Sequence, residues 1–249
     1  MPQVIVIPTG ADNYTYLLAS RDRAVIVDPG ETLPVLRALQ AHRLTATAIL
    51  LTHHHADHCA GAAELAAHRA CPVYGYPDAR LPVVTRPVHD QDRIAPAIAG
   101  IEVMHTPGHT ATSVCYRVVS SPVIVFTGDT LFTGGCGRLC EGAPATMYAS
   151  LCALAALPRT TLLYGGHRYG VENCRFALSI EPRNSALHRR LQRFRRNGGR
   201  DVPSSLADEL RCNPFLRCAQ KPLKQALGMP DADSVDVFNR LRSRKDRFR

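Results

Sequence analysis

Short apolar runs separated by turn residues fill the first two thirds of the chain, and each run predicts a β-strand. Glycine, proline, serine and aspartate mark the turns between them. The run at residues 48–51 is apolar on both faces, which predicts a central, buried strand. The predicted strands cover residues 4–7, 14–19, 24–28, 48–51, 73–76, 101–105, 114–119, 123–126 and 161–165.

Helical patterns interrupt these strands in both halves of this region. One begins at Thr32, where Leu33, Leu36 and Leu39 recur at helical spacing, and alanine-rich stretches at 60–70 and 145–157 predict two more. Two halves of strands followed by helix and strand predict an α/β protein with two sheets between layers of helices.

After His167 the pattern changes, because no strand pattern remains. We therefore predict two domains, residues 1–168 and residues 169–249, with the second built of helices. The predicted helices cover residues 173–180, 185–196, 204–210 and 234–242.

Composition bounds the class of protein. The chain has 249 residues, 45% of them hydrophobic, which is enough for a large core. No apolar run approaches the roughly 20 residues of a membrane span, and the first residues carry no secretory signal. The nine cysteines form no CxxC pair, so a cytoplasmic location is expected.

Charge is unevenly distributed along the chain. Residues 175–249 carry 18 lysines and arginines against 8 acidic residues, whereas residues 1–174 carry 12 against 13. Such a basic region either binds an anionic partner or is a solvated face.

The segment Thr52-His53-His54-His55-Ala56-Asp57-His58 lies between the buried strand and an alanine-rich helix. Side chains at i and i+2 of an extended chain point the same way, so His53 and His55 can share one metal ion while His54 points elsewhere. Asp57 and His58 can face a second ion. Imidazole and carboxylate together suit zinc, iron or manganese.

Three further candidates follow predicted strands: His109 in TPGHT, Asp129 in TGDT and His167 in GGH. Loops after strands are where sheet proteins gather functional groups. With the first segment they predict a dinuclear centre in which Asp129 can bridge. Such a centre implies hydrolysis of a carbonyl or phosphoryl ester by a metal-bound hydroxide. The chain has no GxSxG motif and no P-loop.

The motifs THHHADH, TPGHT, FTGDTLF and GGHRYG resemble the metallo-β-lactamase superfamily, and the chain is most similar to its glyoxalase II family, the hydroxyacylglutathione hydrolases. The segments that carry this closer resemblance are Asp12-Asn13-Tyr14, VDPG at 27–30, FTGGCGR at 132–138, EPRN at 181–184, VPSSL at 202–206, NPFLR at 213–217 and RKD at 244–246. The resemblance implies an αβ/βα four-layer sandwich with a C-terminal α-helical domain.

The same resemblance implies site residues and a reaction. Two divalent ions, expected to be zinc with iron or manganese as alternatives, would be held as in that family. His53, His55 and His109 would bind one ion, Asp57, His58 and His167 the other, and Asp129 would bridge. Asp57 and Asp129 would be catalytic, and Arg138, Tyr169, Arg242 and Lys245 would bind glutathione. The implied reaction is hydrolysis of S-D-lactoylglutathione to glutathione and D-lactate, the second step of methylglyoxal detoxification.

Two departures from that family pattern stand out. Cys140 occupies a position where the family usually has tyrosine, and Arg138 stands where lysine is usual. Arg168 replaces a glutamate. These differences bear on the affinity for glutathione and leave the metal ligands unchanged.

Other activities remain open on the sequence. They are another superfamily enzyme (a persulfide dioxygenase with one iron, a lactonase or a β-lactamase) and a nucleic-acid-binding protein or nuclease that uses the basic region. The aromatic residues there, Phe194, Phe215, Phe238 and Phe248, form no stacking pattern. We therefore expect a monomer that binds a small molecule, no nucleic acid and no membrane.

Overall fold

The computed structural model describes residues 2–96 and 98–248. Residues 2–96 contain the strands of the first sheet, the helices between them and β7, the first strand of the second sheet. The elements are β1 (Gln3–Thr9), β2 (Asn13–Ser20), β3 (Arg23–Val27), α1 (Thr32–Ala41), β4 (Thr45–Leu50), α2 (Ala56–Cys59), α3 (Ala62–Arg69), β5 (Val73–Gly75), β6 (Arg86–Pro87) and β7 (Arg93–Ile94).

The rest of the chain completes the second sheet and ends in helices. Its elements are β8 (Ile101–His105), β9 (Val114–Val118), β10 (Ile124–Gly128), β11 (Leu131–Phe132), β12 (Gly135–Cys136), α4 (Pro144–Ala155), β13 (Leu162–Gly165), α5 (Gly170–Ile180), α6 (Ser185–Arg196), β14 (Ser204–Ser205), α7 (Leu206–Cys212), a 3₁₀ turn (Pro214–Leu216), α8 (Lys221–Ala226) and α9 (Ser234–Asp246). Among the described residues, no helix is both long enough and apolar enough to cross a bilayer.

Two six-stranded mixed sheets form the centre of the molecule. The first has the order β1-β2-β3-β4-β5-β6 and the second the order β14-β13-β10-β9-β8-β7. β4 pairs in parallel with β3 and β5, as predicted for a central strand. β11 and β12 form a separate two-stranded ribbon.

Alternation along each strand divides the apolar side chains between two faces. On β3, Val25 and Val27 face the core between the sheets, whereas Ile26 faces helices outside. On β10, Phe126 faces the core between the sheets and Val125 the opposite side. α1 and α3 cover the first sheet, and α4 and α9 cover the second. The four-layer αβ/βα sandwich is thereby confirmed.

The structure corrects the predicted apolar face of α1. Val35 and Leu39, one turn apart, are fully buried, whereas Leu33 is 55% exposed. Leu33 lies in the first turn, next to Pro34, before the helix packs on the sheet.

The helix predicted at 204–210 is also wrong at its start. Ser204 and Ser205 form β14, which pairs antiparallel with β13 at the edge of the second sheet. The helix begins at Leu206 because the Ser205 hydroxyl caps it, accepting a hydrogen bond from the amide of Asp208. The prediction of no strand after His167 fails for the same two residues, whose polar pair carries no strand pattern.

Candidate metal centre and substrate pocket

The seven predicted site residues follow strands whose ends meet at one edge of the sandwich. His109 follows β8, Asp129 follows β10 and His167 follows β13. The other four residues follow β4, and they are His53, His55, Asp57 and His58. Backbone hydrogen bonds draw the β1–β2 turn onto the same edge, from the Tyr14 amide to the Gly166 carbonyl (2.8 Å) and from the Arg168 amide to the Asp12 carbonyl (2.7 Å).

The first group of potential ligand atoms comes from three histidines. Nδ1 of His55 lies 3.1 Å from Nε2 of His53 and 3.0 Å from Nε2 of His109. These three nitrogens can reach one ion.

The second group consists of Asp57, His58 and His167. Nε2 of His58 and Nε2 of His167 are 3.3 Å apart, and Oδ2 of Asp57 lies 3.5 Å and 3.4 Å from them. Asn13 fixes the Asp57 carboxylate by donating to Oδ2 at 2.8 Å.

Asp129 lies between the two groups. Its Oδ2 is 3.5 Å from Nε2 of His109 in the first group and 3.3 Å from Nε2 of His167 in the second. Its Oδ1 is 3.2 Å from Nε2 of His58. A single carboxylate is thus within reach of both groups.

Acceptors behind the histidines fix which ring nitrogen carries the proton. Nδ1 of His58 lies 3.1 Å from Oδ2 of Asp28, Nδ1 of His167 lies 3.0 Å from Oδ1 of Asp12, and Nδ1 of His109 lies 2.9 Å from the carbonyl of Arg138. Each acceptor takes the Nδ1 proton, so in the neutral ring Nε2 presents a lone pair to the centre.

The proton of His53 is likewise placed on Nδ1, here by a hydroxyl that lies between His53 and Asp28. The Thr52 hydroxyl donates its one proton to Oδ2 of Asp28 at 2.6 Å, so it can only accept from Nδ1 of His53 at 3.0 Å. Asp28 therefore fixes the protonated nitrogen of one histidine in each group, namely His53 through Thr52 and His58 directly.

This arrangement fits two metal ions. When their rings are neutral, His53, His58, His109 and His167 direct Nε2 lone pairs into the same buried space, which is unfavourable without a cation between them. Oδ1 of Asp129 is buried and has no hydrogen-bond partner within the described part of the chain. Five imidazoles and two carboxylates are a donor set typical of zinc and similar divalent ions.

Electrostatics favours an anionic bridge. Burial alone would raise the pKa of the Asp129 carboxyl, but the adjacent His58 and His167 hold that pKa well below its ordinary value. Burial lowers the pKa of His53 well below its ordinary value, and the neighbouring His58 adds to this effect. Burial lowers the pKa of His58 and of His167, but Asp129 outweighs this effect and raises both, so the carboxylate anion favours positive charge beside it.

Two glycines leave room for these contacts. Gly128 has φ +46°, and a Cβ there would lie 2.3 Å from Oγ1 of Thr52. A Cβ on Gly166 would lie 2.5 Å from Oδ1 of Asp129. Side chains at these positions would displace the hydroxyl and the carboxylate that organise the centre.

His54 points away from both groups, as predicted, and joins a charged cluster beside the centre. Its Nδ1 is 3.5 Å from Asp78 and its Nε2 is 3.7 Å from Glu141. Arg80 pairs with both carboxylates. Glu141 also accepts from the amide of Ala111 at 2.7 Å, so the cluster braces the loop that carries His109.

A pocket of about 480 Å³ opens over the centre. Asp57, His109, Asp129 and His167 line its floor. The four predicted glutathione-binding residues line it too, namely Arg138, Tyr169, Arg242 and Lys245, and so does Cys140.

Tyr169 stands directly on a candidate ligand. Its ring stacks on the imidazole of His167, with centroids 4.7 Å apart and planes 2° apart. Phe132 contacts it edge-on at 5.3 Å. Burial, followed by the charge of Asp12, raises the pKa of the Tyr169 hydroxyl to about 12, so this group is a neutral hydrogen-bond donor.

The two basic residues of α9 differ in how they are held. Arg242 is 4% exposed, and its guanidinium donates to the carbonyls of Cys136 and Gly137 and to Asp246. Lys245 contacts aromatic rings and has no ion pair within the described part of the chain. Burial and the nearby Arg242 lower its pKa. Because no acidic group in the described part of the chain pairs with it, Lys245 is the more available of the two side chains for an anionic ligand.

Asp28, Asp12 and Thr52 were not predicted as functional residues. Asp28 follows β3 directly and has φ +50°. Asp129 was predicted because it is a polar residue just after a strand, and the same rule applies to Asp28. Asp12 and Thr52 act only through contacts with other residues, so the motifs that contain them did not indicate their roles.

Comparison with known proteins agrees with this geometry. Residues 8–167 match the metallo-beta-lactamase superfamily, and residues 168–248 match the hydroxyacylglutathione hydrolase C-terminus. A protein named hydroxyacylglutathione hydrolase from Rhodospirillum rubrum is 44% identical over 245 residues, covering 96% of this chain and 95% of that protein.

Solved structures are similar over most of the chain. ETHE1 from Myxococcus xanthus has a TM-score of 0.67 and 26% identity and covers 100% of both chains. TTHA1623, solved in a di-iron-bound form, has a TM-score of 0.62 and 28% identity and covers 86% of this chain and 99% of that chain.

The four-layer fold and its His/Asp centre define a member of the metallo-β-lactamase superfamily. Most branches of a superfamily differ outside the shared fold, so the C-terminal helical region is the finer criterion. On that region and on the identity over nearly the full length, the chain belongs to the hydroxyacylglutathione hydrolase family.

Proposed function

We propose that the protein is a thiolester hydrolase that converts S-D-lactoylglutathione to glutathione and D-lactate. The observation that carries this proposal is a single pocket with a His/Asp centre on its floor and cationic side chains on its walls. Glutathione carries two carboxylates, which basic side chains recognise. The names of the similar proteins support the same substrate.

The seven residues at the centre would hold two divalent ions. His53, His55 and His109 would hold the first ion, Asp57, His58 and His167 would hold the second, and Asp129 would contribute to both. Zinc suits this donor set, with iron and manganese as alternatives. The di-iron-bound form of TTHA1623 is consistent with a two-ion centre. When bound, the ions supply Lewis acidity and a water that is deprotonated near neutral pH.

The protein's own groups orient the reactants. Asp57, fixed by Asn13, and Asp129 hold the reacting water through its protons. From its stacked position on His167, Tyr169 donates a hydrogen bond from its hydroxyl to the substrate. Lys245 and Arg138 pair with the glutathione carboxylates, and Arg242 holds the loop at Cys136 and Gly137 against α9.

We further propose a division of labour between residues 1–168, which hold the ions, and residues 169–249, which supply Tyr169, Arg242 and Lys245. Part of the basic charge of the second region is used internally, as in the pairs Arg217–Glu181 and Arg190–Glu209. This supports a small-molecule substrate rather than nucleic acid. A cytoplasmic monomer is our proposal for the working form.

One assay separates this function from its rivals. Metal-loaded protein is incubated in parallel with S-D-lactoylglutathione, a β-lactam and glutathione persulfide, while bound metals are quantified. We expect release of glutathione and D-lactate without oxygen uptake. Oxidation of the persulfide with oxygen consumption, and no thiolester cleavage, would instead identify a dioxygenase. An Asp129→Asn variant controls for contaminating hydrolases.

A further inference from the structure

A second cavity, of about 300 Å³, lies between α6 and α7 and shares no lining residue with the substrate pocket. Four arginines line it, and Asp208 is the only acidic residue among its described lining residues. The arginines are Arg189, Arg190, Arg193 and Arg211.

Arg190 is the buried member of this group, with 4% of its surface exposed. Its Nη2 pairs with Glu209 and with the hydroxyl of Ser204. Its Nε and Nη1 are buried and have no hydrogen-bond partner within the described part of the chain. Buried donors are nearly always paired, so the three N–H bonds of Nε and Nη1 can take a further partner, either water or a ligand.

The acidic residues nearby are already engaged. Glu209 also accepts hydrogen bonds from the amide of Gly134 at 2.8 Å and from Nδ2 of Asn213 at 3.0 Å. Asp208 pairs with Arg211 and lies 3.7 Å from Arg193. Arg189 forms no ion pair among the described residues. Positive charge therefore exceeds negative charge in the cavity.

We propose that this cavity binds a phosphate dianion, either free phosphate or the terminal phosphate of a small monoester. Guanidinium groups match phosphate oxygens in bidentate pairs, and several converging arginines favour a dianion over a singly charged anion. Arg190, whose Nε and Nη1 are unpaired, lies at the base of the site, and the exposed side chains of Arg189 and Arg193 supply the accessible guanidinium groups.

Calorimetric titration of the metal-loaded enzyme with inorganic phosphate tests this proposal. The test variant is Arg189→Ala with Arg193→Ala, which spares the buried pair of Arg190 with Glu209. The control is Arg195→Ala with Arg196→Ala, which removes equal charge from exposed positions of the same helix. We expect the dissociation constant to rise at least tenfold in the test variant and to stay within about twofold in the control.

Charge state and ligand type give further readouts. Phosphate should bind more weakly at pH 5.5 than at pH 7.5 because its second proton is then bound, whereas sulfate should bind alike at both. Glycerol phosphate binding as tightly as phosphate, or more tightly, supports the site and indicates a monoester as its ligand. Phosphate also can reach the metal centre, but that binding would survive in both variants.

Equal binding by the test and control variants would overturn the proposal, as would malonate binding in preference to phosphate. Thiolester hydrolysis should be unchanged in both variants, because neither alters the substrate pocket. A result that rejects the phosphate site would therefore leave the proposed hydrolase activity untouched. A result that rejects the hydrolase activity would likewise leave the phosphate site untouched.

Discussion

The carboxylate of Asp28 accepts the Nδ1 proton of His58 at 3.1 Å, although Asp28 does not face the metal centre itself. Its other contacts are to Thr52, whose amide donates to Oδ1 at 2.8 Å and whose hydroxyl donates to Oδ2 at 2.6 Å. Three donors thus converge on one carboxylate. The protonation pattern of the centre depends on this buried acid.

We expect Asp28→Asn to weaken metal binding about 10–100-fold, as loss of an outer-shell partner typically does. The amide of asparagine has only one oxygen, so its NH2 group must face at least one of the three donors. If that donor is His58, its ring can carry the proton on Nε2, which faces the centre, instead of on Nδ1. Chelator competition with zinc measures the effect. Asp12→Asn should cause a similar loss through His167, and unchanged affinity in both variants would contradict this account.

Asp129 should matter to both ions because its oxygens face both groups of ligands. We predict that Asp129→Ala lowers bound metal below the content of His109→Ala and reduces thiolester hydrolysis by about a thousandfold or more. Elemental analysis of the purified variants measures the first effect. Full metal content with substantial activity would remove Asp129 from the centre.

Lys245 and Arg242 should respond differently to substitution. Lys245→Ala removes a cation from the pocket wall, so we expect KM for lactoylglutathione to rise about tenfold with a smaller change in kcat. Arg242→Ala leaves the carbonyls of Cys136 and Gly137 without their donor, which should cost about 1–3 kcal/mol of stability.

Two controls accompany the comparison of Lys245 and Arg242. Arg244→Ala removes an exposed cation of the same helix that does not line the pocket. A small uncharged thiolester tests whether the effect depends on glutathione. Equal loss on both thiolesters in Lys245→Ala would mean that Lys245 is structural.

Cys140 lines the pocket at the position where the family usually has tyrosine. We expect Cys140→Tyr to lower KM for lactoylglutathione about threefold to tenfold, the effect of one added hydrogen bond. Cys140→Phe supplies the ring without the hydroxyl and should not reproduce the gain. If both variants lower KM equally, ring contact rather than hydrogen bonding is responsible.

Asp201 should make stability depend on pH. Burial raises the pKa of its carboxyl to about 6, against an ordinary value of 3.8, although Gly170 and Tyr14 both donate hydrogen bonds to it. Between about pH 4 and pH 6 the folded protein keeps a proton that the unfolded chain has released. The free energy of unfolding therefore falls as pH rises through this window.

Asp201→Asn stays neutral at every pH and should escape this loss. Relative to the wild type, its free energy of unfolding should improve by about 1–1.5 kcal/mol between pH 5 and pH 7.5. Urea melts of the metal-loaded proteins at the two pH values measure the difference. Tyr14→Phe removes one donor and should shift the window to higher pH. A difference that does not change with pH would contradict a raised pKa for Asp201.

Short-range rules predicted two sheets between layers of helices, and they indicated seven residues that the structure brings together at one edge of the sandwich. Strands alternate or run apolar, and loops after strands collect polar side chains at one edge. Asp129 and His167 are 38 positions apart in the chain, yet each was identified from its own strand end.

Contacts that join distant segments could not be derived in this way. Arg80, Asp78 and Glu141 form a cluster around His54, and the buried donors of Arg190 depend on the approach of α7 to α6. Likewise, β14 is a pair of serines whose strand character comes entirely from pairing with β13. Such features become visible only when tertiary structure brings the segments together.

The pairing of Ser204 and Ser205 with β13 has a consequence for how the chain could be divided. These two residues cover the outer edge of the second sheet, next to the strand that leads to His167. A fragment ending at residue 168 would expose the backbone N–H and C=O groups of β13, which is a surface that recruits strands from other molecules. The helical region therefore also protects the catalytic sandwich against self-association through its sheet edge.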